Sequence, residues 1–245
     1  MKVLVPVKHV IDYNVQIQIK DGKVVKDHVK HAMNPFDEIA VEAAIQLKEQ
    51  QHVDEIHCIS IGSTDSTATL RHGLALGADT ATLIETTTTL APLHIAQVLK
   101  TYIELNPVDL VIMGKQAIDD DSNQTPQMLA ALLNWPQATF ASNIKVSKKC
   151  YEITREVDGG LETLQVQPPA IISTDLRLNE PRFATLPNIM KAKSKPFKSI
   201  PIADLKLTLD PYYQDQGDEH PPQKKAGKAL KSIDALAQAI QDSLS

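Results

Sequence analysis

The sequence predicts an α/β protein, with a parallel sheet covered by helices on both faces, an antiparallel β addition and an extended C-terminal arm. Up to about residue 140, short Val- and Ile-rich runs alternate with segments of helical period, the pattern of strand–helix–strand units. From residue 144, strand-like runs follow one another without a helix between them. Beyond residue 185 prolines recur and apolar periodicity fades.

The first strand is expected over residues 2–8, a Val-rich run in which apolar residues alternate with mixed ones. A small hairpin should follow between Tyr13 and Lys26. Apolar and polar residues alternate on both sides of Asp21-Gly22, where glycine supplies the positive φ that the turn needs.

The first helix should begin after Asn34, the natural N-cap residue. Pro35 then occupies the first helical position, where its missing N–H costs nothing, and Asp37 and Glu38 favour the positive end of the helix dipole. An apolar stripe at helical spacing continues through Phe36, Ile39, Ala40, Ala43, Ala44 and Leu47.

Three further strand–helix units complete the predicted parallel sheet. Their strands are Ile56–Gly62, Thr82–Glu85 and Leu110–Gly114, and their helices run to Gly77, from about Pro92 to Leu105, and from about Thr125 to Leu133. Because such alternation places helices on both faces of the sheet, residues 1 to about 140 are interpreted as a Rossmann-like layer.

The antiparallel addition is predicted from strands at Tyr151–Val157, Leu161–Gln167 and Ala170–Thr174, around the turn Asp158-Gly159-Gly160. A short amphipathic helix is expected from about Ser232 to Leu244. The interpretation divides the chain into a nucleotide-binding domain over residues 1–183 and a partner-recognition loop with a C-terminal arm over residues 184–245.

Composition excludes several functions. A formal charge of −5 argues against a general nucleic-acid binder, which needs surplus Lys and Arg to displace phosphate counterions. The two cysteines belong to no metal-ligand or disulfide pattern. The apolar N-terminal run is too short for a signal peptide or a membrane span, so a cytoplasmic protein without membrane insertion is expected.

Neither a GxGxxG fingerprint nor a GxxxxGK[ST] phosphate loop is present, so this chain alone is not expected to hold flavin or NAD. The candidate ligand loop instead follows the predicted strand Leu110–Gly114, because ligands of open α/β sheets bind beyond the carboxyl ends of the strands. It comprises Gly114, Lys115, Gln116, Ala117, Ile118, Asp119, Asp120, Asp121, Ser122, Asn123, Gln124 and Thr125.

Three adjacent carboxylates do not suit a phosphate, since each like-charge pair at about 4 Å costs roughly 1 to 4 kcal/mol. We therefore assign phosphate contact to backbone N–H groups and to residues 122–125, and expect the aspartates to cap turns, contact sugar hydroxyls or face water. Two alternatives remain open: a solvated acidic loop with an N-capping Ser or Asn, and a magnesium site on residues 119–121.

The run from Gly114 to Asp121, followed by Asn123-Gln124-Thr125, resembles the AMP-binding loop of electron transfer flavoprotein β-subunits. Residues 30–39 resemble the family's first nucleotide-contact segment, and residues 154–191 resemble its long signature. The resemblance covers the chain up to about residue 205 and becomes loose over the last forty residues.

The resemblance implies a heterodimer in which an α-subunit holds most of the FAD, while this chain binds a structural AMP and performs no bond chemistry of its own. The implied AMP contacts are Pro6, Asn34, Pro35, Phe36, Asp37, Ile61 and the loop from Gly114 to Thr125. Tyr13 matches an aromatic residue that the family places beside the flavin ring.

The resemblance also implies partner contacts. Leu186 matches the apolar anchor of a loop that recognises dehydrogenases, and it is accompanied by Pro187, Ile189, Met190, Lys191 and Lys193. Glu156 matches a residue that pairs with an α-subunit arginine. Electrons would arrive from flavin-dependent dehydrogenases, such as the acyl-CoA dehydrogenases of fatty acid β-oxidation, and leave to a membrane-bound electron transfer flavoprotein–quinone oxidoreductase.

Two other classes compete with this electron-carrier interpretation. An ATP- and metal-using α/β enzyme would work at Asp119–Asp121, but it needs a glycine-rich loop after the first strand, where the sequence reads Val7-Lys8-His9-Val10. A small-molecule sensor of the universal-stress type would lack both the antiparallel addition and the proline-rich arm.

Overall fold

The computed structural model describes residues 1–147, 150–222, 226–227 and 229–244. The chain forms two compact units, of which the larger comprises residues 1–16 and 26–213 and the smaller comprises residues 17–25 and 214–245.

The strands are β1 (Lys2–Pro6), β2 (His9–Ile11), β3 (Ile19–Lys20), β4 (Lys23–Val24), β5 (His31–Met33), β6 (Glu55–Gly62), β7 (Thr80–Glu85), β8 (Leu110–Gly114), β9 (Gln137–Ser147), β10 (Cys150–Val157), β11 (Gly160–Val166), β12 (Ala170–Thr174) and β13 (Phe197–Pro201). The helices are α1 (Pro35–Glu49), α2 (Ser66–Leu76), α3 (Pro92–Leu105), α4 (Thr125–Leu133), α5 (Leu186–Ala192) and α6 (Ile233–Leu244), with a 3₁₀ turn at Ile202–Leu205.

One nine-stranded sheet organises the larger unit, in the order β11-β10-β9-β12-β8-β1-β6-β7-β13. Neighbouring strands pair in parallel from β9 through β12, β8, β1, β6 and β7 to β13. The β9–β10 and β10–β11 pairs are antiparallel. The predicted α/β class, with a parallel sheet and an antiparallel addition, is confirmed.

Helices cover both faces of this sheet, as predicted. Because successive side chains of a strand point to opposite faces, Val3 and Val5 of β1 pack with α1 and α2, whereas Leu4 packs with α3 and α4. All three side chains are fully buried. Burial on both faces explains why β8, whose residues are all buried, is a continuous apolar run.

The prediction that Ala170–Thr174 belongs to the antiparallel addition is wrong. This segment is β12, which pairs in parallel with β8 and with β9 and lies inside the sheet. Its five residues are all buried, and burial on both faces is the environment of a central parallel strand. The turn at Asp158-Gly159-Gly160 does join the antiparallel strands β10 and β11.

The predicted stretch of little regular structure after residue 185 contains two elements that the sequence did not reveal. Helix α5 packs against α2, and β13 extends the sheet by pairing with β7. Arg71 of α2 joins them, since its guanidinium donates to the Ala192 carbonyl at 2.8 Å and lies 4.7 Å from the centre of the Phe197 ring.

Ion pairs hold the coil between β12 and α5 against α1. The Arg182 guanidinium donates to the Glu42 carboxylate at 2.8 Å and to the Glu49 carboxylate at 2.6 Å. Burial alone would raise the pKa of Glu42, but the hydrogen bonds from Arg182 outweigh it and hold that pKa below its usual value. Asn179 adds a hydrogen bond to the Ile39 carbonyl at 3.1 Å.

The smaller unit contains the hairpin β3–β4 and helix α6. Gly22 has positive φ in the hairpin turn, as predicted, and Asp21 has positive φ as well. The Asp218 N–H donates to the Gly22 carbonyl at 2.9 Å, which joins the hairpin to the C-terminal segment. The predicted C-terminal helix is confirmed as α6, and its apolar side chains Ile233, Leu236, Ile240 and Leu244 are exposed.

No helix among the described residues has both the length and the apolar character needed to cross a membrane.

Candidate functional site

A cleft lies at the carboxyl edge of the sheet, where β1, β6 and β8 end and α3 and α4 begin. Its apolar wall comprises Pro6, Val7, Ile59, Ile61, Leu90, Pro92, Ile95, Leu99 and Met113. Its polar wall comprises Lys8, Asp37, Gly114, Lys115, Gln116, Ala117, Asp120, Ser122, Asn123, Gln124, Thr125 and Pro126. The apolar wall forms a slot beside the polar wall, and this arrangement suits a ligand with a flat ring and an anionic group.

Asn34 fixes the loop that forms the polar wall. It lies at the N-cap position of α1, and its backbone carbonyl accepts hydrogen bonds from the Asp37 and Glu38 N–H groups. Its side chain makes no cap bond, contrary to the usual role of Asn there. The fully buried amide instead donates to the Gln116 carbonyl at 2.8 Å and accepts from the Ile118 N–H at 3.2 Å.

Asp37 connects the ends of two strands beneath the cleft. Its carboxylate accepts a hydrogen bond from the Lys8 N–H at 2.8 Å and another from the Gly114 N–H at 3.2 Å. Gly114 must be glycine here, because a Cβ atom would lie 2.4 Å from Asp37 Oδ1 and 2.7 Å from Phe36 Cβ. Only 6% of Asp37 is exposed, and this burial raises its pKa to about 7.

Lys8 neutralises two of the three adjacent aspartates in the loop. Its ammonium group lies 2.8 Å from the Asp119 carboxylate and 3.1 Å from the Asp120 carboxylate. Burial alone would lower the pKa of Lys8, but these two carboxylates outweigh it and raise that pKa. Among the described residues, no group of three or more His, Cys, Asp or Glu side chains could hold a metal ion.

The loop enters α4 with free backbone donors. Within the described part of the chain, the N–H groups of Asn123, Gln124 and Thr125 donate no hydrogen bond to another residue. Gln124 is the N-cap residue and makes no side-chain cap bond, so neither Ser122 nor Asn123 caps the helix. Unpaired donors at the positive end of a helix dipole form a site for an anion such as phosphate.

Backbone geometry gives the loop its shape. Asp121 and Asn123 both have positive φ, a region that Asp and Asn enter more readily than most residues. The Asp120 carboxylate accepts a hydrogen bond from the Ser122 N–H at 3.0 Å, so this aspartate stabilises a turn.

Sequence reasoning missed two residues that support the site. Lys8 is one, and Asp175 is the other, because its carboxylate lies 2.7 Å from the Lys115 ammonium group. Lys115 also lies over the rings of Phe36 and Phe140, at 5.4 and 5.8 Å from their centres. Both missed residues follow the ends of sheet strands, and the rule that ligands gather at carboxyl ends could have identified them.

The structure brings most of the residues expected at the nucleotide into this one cleft. Pro6, Asp37, Ile61 and most of the loop from 114 to 125 line it. The residues outside the lining are Asn34, Pro35, Phe36, Ile118, Asp119 and Asp121, which belong to the adjoining start of α1 and to the same loop.

Tyr13 lies outside this cleft and is 73% exposed. It occupies a turn in which the Asp12 carboxylate accepts hydrogen bonds from both the backbone and the side chain of Asn14 at 2.8 Å. Lys30 also pairs with Asp12, at 2.6 Å. The turn is therefore fixed while the tyrosine ring remains exposed.

The residues expected to contact partners are on the surface. Leu186 is 72% exposed at the start of α5, and Ile189 and Met190 are exposed on the same helix. Glu156 forms an ion pair with Arg177 of this chain.

Comparisons with known proteins agree on one family. The model of the electron transfer flavoprotein domain matches residues 22–205. The electron transfer flavoprotein subunit beta of Bradyrhizobium diazoefficiens is 50% identical, over 99% of this chain and 98% of its own length. The mitochondrial subunit of Arabidopsis thaliana is 49% identical over 99% and 98%, and that of Homo sapiens is 47% identical over 99% and 97%. The chain therefore belongs to the family of electron transfer flavoprotein β-subunits.

Proposed function

We propose that this chain pairs with an α-subunit, holds AMP in the cleft, and completes an FAD site that belongs mostly to that partner. The observation that carries the proposal is the apolar slot that ends at the free N–H groups of residues 123–125. A purine fits the slot, and a phosphate fits the N–H groups without a metal ion.

The ion pairs in the cleft favour a structural nucleotide over a reacting one. Lys8 already compensates Asp119 and Asp120, so these carboxylates are engaged within the chain. The chain's own residues thus bind the nucleotide, orient it against the apolar wall and exclude water from it. When bound, FAD supplies the electron-carrying chemistry, and Tyr13 is available to contact it.

The exposed apolar side chains support the proposed partners. Leu186, Ile189 and Met190 form an apolar surface, with Lys191 and Lys193 as a charged rim, which suits docking by an acidic dehydrogenase surface. The apolar side of α6 suits packing on the α-subunit. Glu156 can pair with an α-subunit arginine only by leaving Arg177.

With these contacts the complex would accept electrons from flavin-dependent dehydrogenases, including acyl-CoA dehydrogenases. It would pass them to an electron transfer flavoprotein–quinone oxidoreductase in a membrane.

The visible spectrum tests the division of the flavin site between the subunits. We expect the purified chain alone to be colourless and the complex with a co-expressed α-subunit to show the flavin absorption, because no dinucleotide fingerprint occurs in this sequence. The control is the α-subunit expressed alone. Purification of this chain alone with one FAD per chain would refute the proposal.

A further inference from the structure

Asp37 is a buried carboxyl group in the wall of the cleft, and it lies between the ends of β1 and β8. Its two oxygens accept the Lys8 and Gly114 N–H groups, so both strand ends depend on its position. The side chain of Lys8 forms ion pairs with the loop, and Gly114 is the first residue of that loop. Any change in the charge of Asp37 therefore acts on both strand ends that carry the polar wall of the cleft.

The charged groups around Asp37 come from every element packed against it. Lys8 follows β1, and Lys115 follows β8 with Asp175 as its partner. From β6, the buried Cys58 thiol also interacts with Asp37, and this thiol is neutral because burial raises its pKa to about 12. On α1 itself, Glu38 lies 3.6 Å from His72 of α2.

The ionised form of Asp37 is weakly stabilised here. Burial raises its pKa to about 7, although the N–H groups of Lys8 and Gly114 and the Asn34 side chain favour the carboxylate. Near neutral pH, the protonated and the ionised forms are thus both populated. Of the residues that line the cleft, Lys8, Lys115 and Asp120 are the other ionisable ones, and all three take part in ion pairs.

We propose that Asp37 is a positioning residue that couples nucleotide binding in the cleft to the uptake of a proton. This inference rests on the proposed function of the cleft.

Two effects of the ligand act in the same direction. A nucleotide brings a phosphate anion towards the carboxylate, and it displaces water from the cleft, so both effects favour the neutral carboxyl group. Binding therefore raises the pKa of Asp37, and affinity falls as pH rises through 7. A rise of one unit would change the affinity about tenfold between the protonated and the ionised protein.

The phosphate of AMP acts in the opposite direction when it binds as the dianion, the form that free N–H groups at a helix N-terminus favour. Its second ionisation occurs near pH 6, as in a phosphorylated side chain. If the site binds the dianion, the phosphate releases protons on binding, whereas Asp37 takes one up.

The experiment measures proton uptake when AMP binds to the complex with its α-subunit, after removal of the bound nucleotide. Calorimetry at pH 7 in two buffers of different ionisation enthalpy gives the number of protons per AMP. For a rise of one unit, we expect Asp37 to take up about 0.4 proton at pH 7, and the affinity to fall about sixfold between pH 6.5 and 8.5. Asp37→Asn should remove both effects, whereas Glu38→Gln, which changes the neighbouring residue outside the cleft lining, should retain them.

AMP binding without proton uptake, or with the same uptake in Asp37→Asn, would overturn this inference and leave the proposed function intact. No AMP binding to the unmodified complex would instead refute the proposed function. If Asp37→Asn does not fold, the ¹³C shift of the Asp37 carboxyl in the unmodified complex decides the matter. We expect AMP to raise the midpoint of its titration, and an unmoved midpoint refutes the coupling.

Discussion

Gly114→Ala is expected to lower the free energy of unfolding by about 3 kcal/mol, at the upper end of the cost of overpacked sites. The added methyl group would meet Asp37 Oδ1 at 2.4 Å and Phe36 Cβ at 2.7 Å, and the Phe36 backbone carbon lies only 3.0 Å away. Because backbone cannot move aside as a flexible side chain can, either α1 or β8 must shift. Any such shift disturbs the hydrogen bond from Gly114 to Asp37, so we expect the bound nucleotide to be lost as well.

Thermal melting and the nucleotide content of the purified complex measure both effects. Gly159→Ala is the matched control, because a Cβ atom there meets nothing within 4 Å, and we expect a change within about 0.5 kcal/mol. A Gly114→Ala complex that melts at the same temperature as the unmodified complex and retains its nucleotide would show that the cleft does not depend on this close approach.

Leu186→Ala is expected to weaken docking of a dehydrogenase by about 2 kcal/mol, or about thirtyfold, as for an interface hot spot. Leu186 is 72% exposed, so its truncation should change the stability of the fold by less than about 0.5 kcal/mol. Thermal melting and the steady-state rate of flavin reduction by a cognate dehydrogenase, measured on one preparation, separate these effects.

Leu105→Ala provides a control of similar exposure, because Leu105 is 66% exposed at the end of α3, away from α5. We expect this control to leave both docking and stability unchanged. If Leu186→Ala melts early yet accepts electrons normally when folded, Leu186 supports the fold and is not a docking anchor.

Local signals in the sequence were sufficient for most of the larger unit and for the hairpin β3–β4 of the smaller unit. The Pro residue after Asn34 placed the start of α1, and the glycine-containing turns placed the hairpins. The candidate loop was also placed correctly at the end of β8, because β8 is an apolar run that ends at Gly114. In each case, adjacent residues carry the whole signal.

Pairing between strands that are distant in the sequence was harder to predict. The run Ala170–Thr174 begins with three apolar residues and ends with Ser173 and Thr174, so it has no local feature that distinguishes an antiparallel neighbour from two parallel ones. Likewise, β13 pairs with a strand more than a hundred residues earlier in the chain. The pairing of β13 at the edge of the sheet depends on where α5 docks against α2. The local sequence pattern does not contain this information.

The polar and charged contacts at the site could not be predicted from neighbouring residues either. Sequence reasoning recognised that three adjacent aspartates repel one another, but it could not predict that Lys8, at the end of β1, would form the ion pairs that compensate two of them. Nor could it predict that Asn34 would use its amide to hold the loop and leave the helix uncapped. Both contacts join residues that only the folded sheet brings together.

The nucleotide content of the purified heterodimer tests the central claim most directly. After denaturation of the complex, chromatography and mass spectrometry should find one FAD and one AMP per heterodimer, and the native complex should not hydrolyse ATP. Recovery of ATP, together with hydrolysis that requires magnesium and is lost in Asp120→Asn, would contradict the account and identify the chain as an enzyme acting at the loop from Gly114 to Thr125.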